Sequence, residues 1–552
     1  MNKIHQIDNF LKFSFQKSKQ YKLLVIFLCI GFLMLNITSL LLPLRESLTY
    51  DENYHFESGL AILSGKPSER GATNVAERNI MPASALNVLV SKASPLSVLD
   101  KLTGQNNWLY SGKLATILVS CLLGLYVFRW SFELYGIHSG FLALLLYLFD
   151  PNIIAHSRLI TQDIFGTCSI FISIYYFWKF LKLGGFKNAF LSMITFGIAQ
   201  IARYTAIYLF PIYFLLTIGF HGSCMINLIR GRQFRVILSK FRFFVVYTIL
   251  LSATAVIIIN IGFLGERTFT KFGDYKFESK TFTYLQSRAS LLRVFPVPVP
   301  YAYLRGLDMG KYKEETGFGN GLPYLTGRLG LENGKAKGFK EYYLIAFIYK
   351  VPIASQLLLI MAITGIFTNK NKTFFLQNDS FFIIPSLFYF CILSLMNAQL
   401  GIRYILIIFP LLFVLSSKVA VYWTQAIMRY RIFIVSLIAY LVISNLSYFP
   451  HYISYFNELL LDRRFAYTIL ADSNLDWGQN KFYLKDYLKK HPSAKVKPAQ
   501  PQAGLVVIAA NDLVGIMSKP ERFQWIREKL RPVEHVAYSY LVFDIKPQDL
   551  PP

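Results

Sequence analysis

Two adjacent carboxylates, Asp51 and Glu52, stand just past the first long apolar stretch, in the segment LTYDENYH (residues 48–55). A carboxylate beside a bilayer is costly to desolvate and often marks function. A base that takes a proton from a hydroxyl needs such a group within hydrogen-bond reach. The plain alternative is a polar turn that faces water. A third carboxylate, Asp163, ends the stretch DPNIIAHSRLITQD (150–163), which also carries His156 and Arg158. Asp163 either caps the next helix or faces Asp51 across a shared cavity. Arg403 in QLGIRY, Arg203 before Tyr204, and Lys350 are cations at the edges of apolar segments. Each either snorkels to the interface or grips a phosphate, which a guanidinium does with two parallel donors. Asp472, Asn474, Asp476 and Trp477, in ADSNLDWGQ, supply hydrogen bonds and an aromatic face suited to a sugar; the same letters also make a turn. His55 follows Asp51 by four residues.

The elements that must hold these groups are membrane helices. Of 552 residues 54% are hydrophobic and only 16% charged, against about a quarter charged in soluble domains. At about 20 apolar residues per span, candidate spans fall near 23–43, 109–128, 137–150, 164–181, 187–202, 204–220, 242–264, 343–367, 379–396, 402–420 and 431–449, eleven in all. The first reads as an uncleaved helix, with no small-residue cleavage site after it. The net charge of +26 is then explained by Lys and Arg at cytoplasmic ends rather than by nucleic acid, for which no motif appears. The N-terminal lysines (Lys3, Lys12, Lys17, Lys19, Lys22), Arg129, Lys179, Lys182, Lys187, the 230–242 cluster, Lys370, Lys372, Lys418, Arg429 and Arg431 all belong to one side. The N-terminus is expected inside and the C-terminus outside.

Three outer regions follow: loop 44–108, with a half-apolar stretch 83–99 suited to the membrane surface; loop 265–341, with an extended PVPVP run; and the tail 450–552. In the tail, 505–510 and 536–544 are expected as strands and 520–530 as a helix, giving a small C-terminal α/β domain after a membrane domain of residues 1–449. Cys29, Cys121, Cys168, Cys224 and Cys391 all lie in or beside apolar segments, so neither a disulfide framework nor a cysteine metal site is expected.

The ordered combination of these motifs resembles the protein O-mannosyltransferase and lipid A aminoarabinose transferase superfamily, membrane enzymes that use polyprenyl-phosphate sugars. The resemblance spans nearly the whole chain. It is carried by YFNEL (455–459) with DSNLDWGQ (472–479), by Asp51, Glu52, His55 and Gly59, by DPNIIAHSRLITQD, by PVPVP (296–300) and by GIRY (401–404). Four places depart from the pattern. The usual PPL element is Met81–Pro82–Ala83, a customary lysine is Arg203, a tryptophan-rich stretch is GFKEYY (338–343), and a Gly-Gly-Pro element is LLDRR (460–464).

The resemblance implies an α-helical polytopic membrane protein of the C-type glycosyltransferase fold, in a bacterial inner or plasma membrane. It would move a monosaccharide, with inversion, from a polyprenyl-phosphate donor to a hydroxyl of a protein, lipid or glycan. Asp51 would take the acceptor proton, Glu52 or Asp163 would orient the substrates, and Arg403 with Arg203 or Lys350 would neutralise the lipid phosphate. His55, His156, Asp472, Asn474, Asp476 and Trp477 would line the substrate. No P-loop or Rossmann fingerprint is present. A divalent metal is compatible with this chemistry but not required by it; only carboxylates with His55 or His156 offer ligands, and no spacing marks a site. Two rivals remain open. One is a lipid or sugar transporter, against which stands the absence of an internal repeat. The other is a non-catalytic glycan-binding scaffold.

Overall fold

The computed structural model describes residues 24–26, 28–34, 36, 46–65, 80–93, 109–288, 290–317, 321–368 and 372–551. The N-terminal lysines, much of the first expected span, parts of loop 44–108 and Lys370 lie outside them. Seven helices among the described residues are long and apolar enough to cross a membrane: Ser111–Tyr135, Gln162–Leu183, Tyr204–Gly222, Phe234–Gly262, Lys372–Ser394, Ile402–Ala420 and Met428–Leu446. Two bent pairs raise the number to nine. The expected span 187–202 is a helix, Phe186–Ala202, of 17 residues.

Proline chemistry explains both bends. Ile137–Leu148 and Pro151–Ser157 meet at 62°. Pro151 occupies the first turn, where its missing N–H costs nothing. Asp150 caps that turn, accepting the N–H groups of Asn152 and Ile153 at 2.9 Å each. So Pro151 starts a short helix instead of leaving a loop. Tyr342–Lys350 and Ile353–Thr368 meet at 112°, with Pro352 denying the ladder a donor and holding Val351 extended.

The centre of the bundle is Gln162–Leu183, 78% buried over its apolar window. Trp130 is fully buried and packs against Phe171 and Phe382, at ring distances of 5.2 and 4.6 Å. Phe234–Gly262 is the opposite case, only 22% buried. It exposes Val246, Leu250, Ile257 and Ile261 along one face, as a lipid-facing helix does. One end of the bundle gathers basic residues with their partners: Arg129 and Lys179 on Glu133 at 3.1 and 3.0 Å, and Lys418 on Asp379 at 2.6 Å. Asp163 opens the central helix and Lys182 lies in its last turn. At 1.5 Å per residue, about 28 Å separates the two ends, so the acidic motifs occupy the opposite end.

The loop after Gly262 holds more structure than its prolines suggest. Lys280–Arg288 and Tyr301–Thr316 are helices, while PVPVP is free of helix as expected. Ser84–Ala93 is also helical. The tail folds into a four-stranded sheet in the order Lys495–Val496, Gly504–Ala509, Tyr540–Ile545, Glu534–Val536. The two central strands pair antiparallel, Val507 opposite Val542. Period two decides their faces. Val506, Ile508, Leu541 and Phe543 join the main core, whereas Val507 and Val542 pack on Tyr483, Leu484 and Tyr487 of the tail's own helix. The helix expected over 520–530 is confined to Gln524–Lys529.

Candidate active site

Asp51 is the N-cap residue of Glu52–Leu63, and its side chain makes no capping bond. The carboxylate is therefore free to face across the site. Its position is set by the tail. Tyr50 N–H donates to the Trp477 carbonyl at 3.1 Å, and Ser47 N–H to the Gln479 carbonyl at 2.9 Å. Ser47 Oγ donates to the Gly478 carbonyl at 2.7 Å. Gly478 has φ +85°, and a Cβ there would meet the Tyr50 ring at 3.1 Å. Only glycine lets the two segments close in this way.

Arg403 lies in the 3-10 turn Ile402–Ile408, two residues after Gly401. Its guanidinium stacks on Trp477, with the central carbon 3.9 Å from the ring centre. Nη1 donates to Asp51 Oδ2 at 3.1 Å and stands 4.0 Å from Asp163 Oδ2. Asp163 Oδ1 in turn pairs with Arg203 Nη1 at 3.1 Å. Arg203 holds the extended break between Phe186–Ala202 and the next turn, with φ −159°. Its aliphatic stem fits against Gly166, where a Cβ would come within 2.6 Å of Arg203 Cδ. Tyr404 lies between the guanidiniums, 5.4 Å from that of Arg403 and 5.9 Å from that of Arg203. Asp51, Arg403, Asp163 and Arg203 thus form one continuous chain of alternating charge. Arg403 Nε is buried and makes no hydrogen bond, so that guanidinium keeps a donor for a further anion, whereas Arg203 Nη1 is already engaged by Asp163.

Asp163 is not a helix cap. Thr161 is the N-cap residue, and Asp163 accepts from Thr161 Oγ1 at 3.1 Å while facing the two arginines. Glu52 points the other way. It is fully buried, paired with Lys113 at 3.0 Å, and accepts the N–H groups of Thr49 and Ile160 at 2.8 and 3.1 Å. Its oxygens are spent inside the protein. Lys350 is likewise spent on carbonyls, donating to Ile453 at 2.8 Å and Asn474 at 2.6 Å. Arg158 is buried on Glu46 at 2.8 Å. His156 faces Trp477 at 6.0 Å between rings. The Nδ1 atoms of His156 and His55 have no hydrogen-bond partner. Burial pushes the His55 imidazole below its ordinary range, against the pull of Asp51.

The tail motif divides its roles. Trp477 stacks on Arg403. Asn474 is fully buried; its Oδ1 accepts Ile402 N–H at 2.9 Å and its Nδ2 donates to Tyr342 Oη at 2.9 Å. Burial pushes the Asp472 carboxyl up to about 7, with Arg403 pulling it back. Burial also pushes Asp476 up to about 6, and its Oδ1 accepts Gly478 N–H at 3.1 Å. Among the described residues no three His, Cys, Asp or Glu side chains stand together as a metal set. Asp51 and Asp163 each face a guanidinium, so the donor set does not fit a divalent cation.

The sequence motifs passed over Lys113 and Asn511. A lone lysine inside the apolar segment KLATILVSCLLG was a signal for Lys113. Nothing local marks Asn511.

The family model of dolichyl-phosphate-mannose-protein mannosyltransferases matches residues 96–259. That match includes Asp163 and Arg203; Asp51, Arg403 and the tail fall outside it. ArnT from Cupriavidus metallidurans bound to undecaprenyl phosphate is similar over 96% of this chain and 99% of that one, at 11% identity and a TM-score of 0.44. Its apo state is similar over 95% and 98%, at 11% identity and a TM-score of 0.42. Compared with curated proteins, the chain matches none. The family match and the apolar helices mark an integral membrane protein of the glycosyltransferase kind.

Proposed function

We propose that this membrane glycosyltransferase moves a monosaccharide from a polyprenyl-phosphate donor to a hydroxyl acceptor, with inversion at the anomeric carbon. The observation that carries this reading is the Asp51–Arg403–Asp163–Arg203 charge chain, in which Arg403 Nε is buried without a hydrogen bond. A phosphodiester donor places its phosphate on Arg403 Nε and beside the Arg203 guanidinium, whose Nη1 stays on Asp163. As it does so it competes with Asp51 for Arg403, and the Asp51 oxygens become free to accept a proton.

The acceptor oxygen attacks the anomeric carbon. The bond from that carbon to the phosphate oxygen breaks. The acceptor proton passes to Asp51, and the polyprenyl phosphate leaves with its new negative charge on the two guanidiniums. Fixed cations at a developing charge lower such a barrier by several kcal/mol, order of magnitude only. Asp163 keeps both arginines in place between turnovers. Asp51 is half-exposed, its side chain at 38%, so an acceptor can reach it, unlike Glu52. Asp472, Trp477 and His156 border the sugar.

The test is transfer from a polyprenyl-phosphate sugar by purified Asp51→Asn protein. Transfer is expected to fall at least about a thousandfold, with donor binding kept. Wild-type turnover in that variant sinks the assignment of the base. Movement of the lipid across the bilayer without any transfer supports the transporter reading instead.

A further inference from the structure

The tail sheet sits beside the candidate site, and one of its side chains is joined to the segment that carries Arg403. Asn511 follows the central strand Gly504–Ala509 in the short turn Ala510–Leu513, and it is 4% exposed. Its Oδ1 accepts the N–H of Asp472 at 2.8 Å, and its Nδ2 donates to the carbonyl of Asp476 at 2.7 Å. One amide therefore closes the turn from both ends, with its donor and acceptor both used. The amide braces a turn in which Asp472 has φ +57°, a left-handed conformation uncommon for side-chain-bearing residues and best tolerated by Asp and Asn.

The same turn grips the chain on either side of Gly401. Ser473 Oγ donates to the Leu400 carbonyl, and Asn474 Oδ1 accepts Ile402 N–H at 2.9 Å. A Cβ on Gly401 would strike Ser473 Oγ, so a side chain there would displace the hydroxyl that holds Leu400. Arg403 is the next residue after Ile402, and Trp477, just past the turn, is the face its guanidinium rests on.

The anchor behind Asn511 is rigid. Val506, Val507 and Ile508 of its strand are fully buried, and that strand is paired on both edges. The Asn511 carbonyl also accepts the N–H groups of Ile516 and Met517, at 2.9 and 3.1 Å.

From this geometry we infer that Asn511 is a positioning residue for phosphate recognition, the link through which the tail sheet sets the Arg403 guanidinium on Trp477. The inference rests on the phosphate role of Arg403 given above, and it assigns the tail a part in donor binding. Both hydrogen bonds are to backbone, so an aspartate at this position keeps the shape and the acceptor but loses the donor to Asp476. Leucine keeps the volume and loses both.

The test is a double-mutant cycle read by binding of undecaprenyl phosphate to the full-length protein in detergent. Asn511→Leu is measured in the wild-type and Arg403→Ala backgrounds, with melting temperature recorded for each protein. Asn511→Leu is expected to weaken binding about tenfold in the wild type and less than about twofold in Arg403→Ala, since coupled residues are not additive. Asn511→Asp is expected to fall between, and it carries the cycle if the leucine variant does not fold. Equal losses in the two backgrounds show a general structural effect and overturn the inference, as does unchanged binding in the wild type. If Arg403→Ala alone binds undecaprenyl phosphate as tightly as wild type, the phosphate assignment fails first, and this inference fails with it.

Discussion

Replacing Arg403 with lysine keeps the positive charge and removes two geometric features. The guanidinium carbon sits over the Trp477 ring at 3.9 Å while its Nη1 reaches Asp51 at 3.1 Å and stands 4.0 Å from Asp163. A lysine ammonium is a point charge with no plane to stack and no fork to share between a carboxylate and a phosphate. The lost stack is worth about 1–2 kcal/mol in a desolvated place. A lost charge-assisted hydrogen bond is worth about 1.5–3 kcal/mol. Together about 3–4 kcal/mol of transition-state stabilisation disappears, which at ~1.4 kcal/mol per decade is a loss on the order of 10²–10³ in kcat/KM. The assay is the initial rate of sugar transfer from a polyprenyl-phosphate donor by purified protein, with the donor varied. If Arg403 acts by charge alone, lysine stays within about threefold of wild type, and the stacking argument is refuted. Arg403→Ala loses the charge as well and is expected to fall below lysine by a further ten- to hundredfold.

Glu52→Gln is expected to act on stability before activity, because it removes the carboxylate that pairs with the buried Lys113 at 3.0 Å. Breaking one side of a buried pair costs about 3–5 kcal/mol. The melting temperature of detergent-purified protein should drop sharply, and Glu52→Gln with Lys113→Met should recover most of the loss; a variant as stable as wild type but inactive would return Glu52 to the chemistry. Stability should also depend on pH through the tail motif. Asp472 and Asp476 ionise at about 7 and about 6 when folded, against about 3.9 in an unfolded chain. The folded state therefore holds more protons between those values, and these groups favour folding at acid pH and lose that contribution as pH rises towards 7. His451, pushed down to about 4 by burial, works in the opposite direction over the same window. The readout is therefore the difference between wild type and Asp472→Asn: the variant should gain melting temperature relative to wild type from pH 5 to pH 8, and a constant difference would refute the Asp472 shift.

The sequence by itself determined where most of the long apolar helices run, but not the helices Lys280–Arg288 and Tyr301–Thr316 in the loop between them. Apolar length and the clustering of Lys and Arg need only local chemistry; the strand expected at 505–510 runs over Gly504–Ala509, whereas the one expected at 536–544 is split into Glu534–Val536 and Tyr540–Ile545 by a turn with positive φ at Ala537 and Tyr538. It also put Asp51, Asp163, Arg203 and Arg403 among the groups to watch, each being a charge at the edge of an apolar segment. It could not divide their labour. Asp51 and Glu52 are neighbours in the chain, yet one is the N-cap residue facing Arg403, 352 residues away, and the other turns inward to Lys113, 61 residues away. Adjacent residues at a helix start point in different directions, and which of them meets a cation depends on what packs there. The same holds for the edge cations. Arg403 and Arg203 share Asp163, whereas Lys350 is consumed by two backbone carbonyls. Long-range pairing carries no periodicity, so no local pattern of residues encodes it. Only when Tyr50 and Trp477 are brought together by a backbone hydrogen bond, and Asn511 closes the turn beside them, do separate motifs become one site.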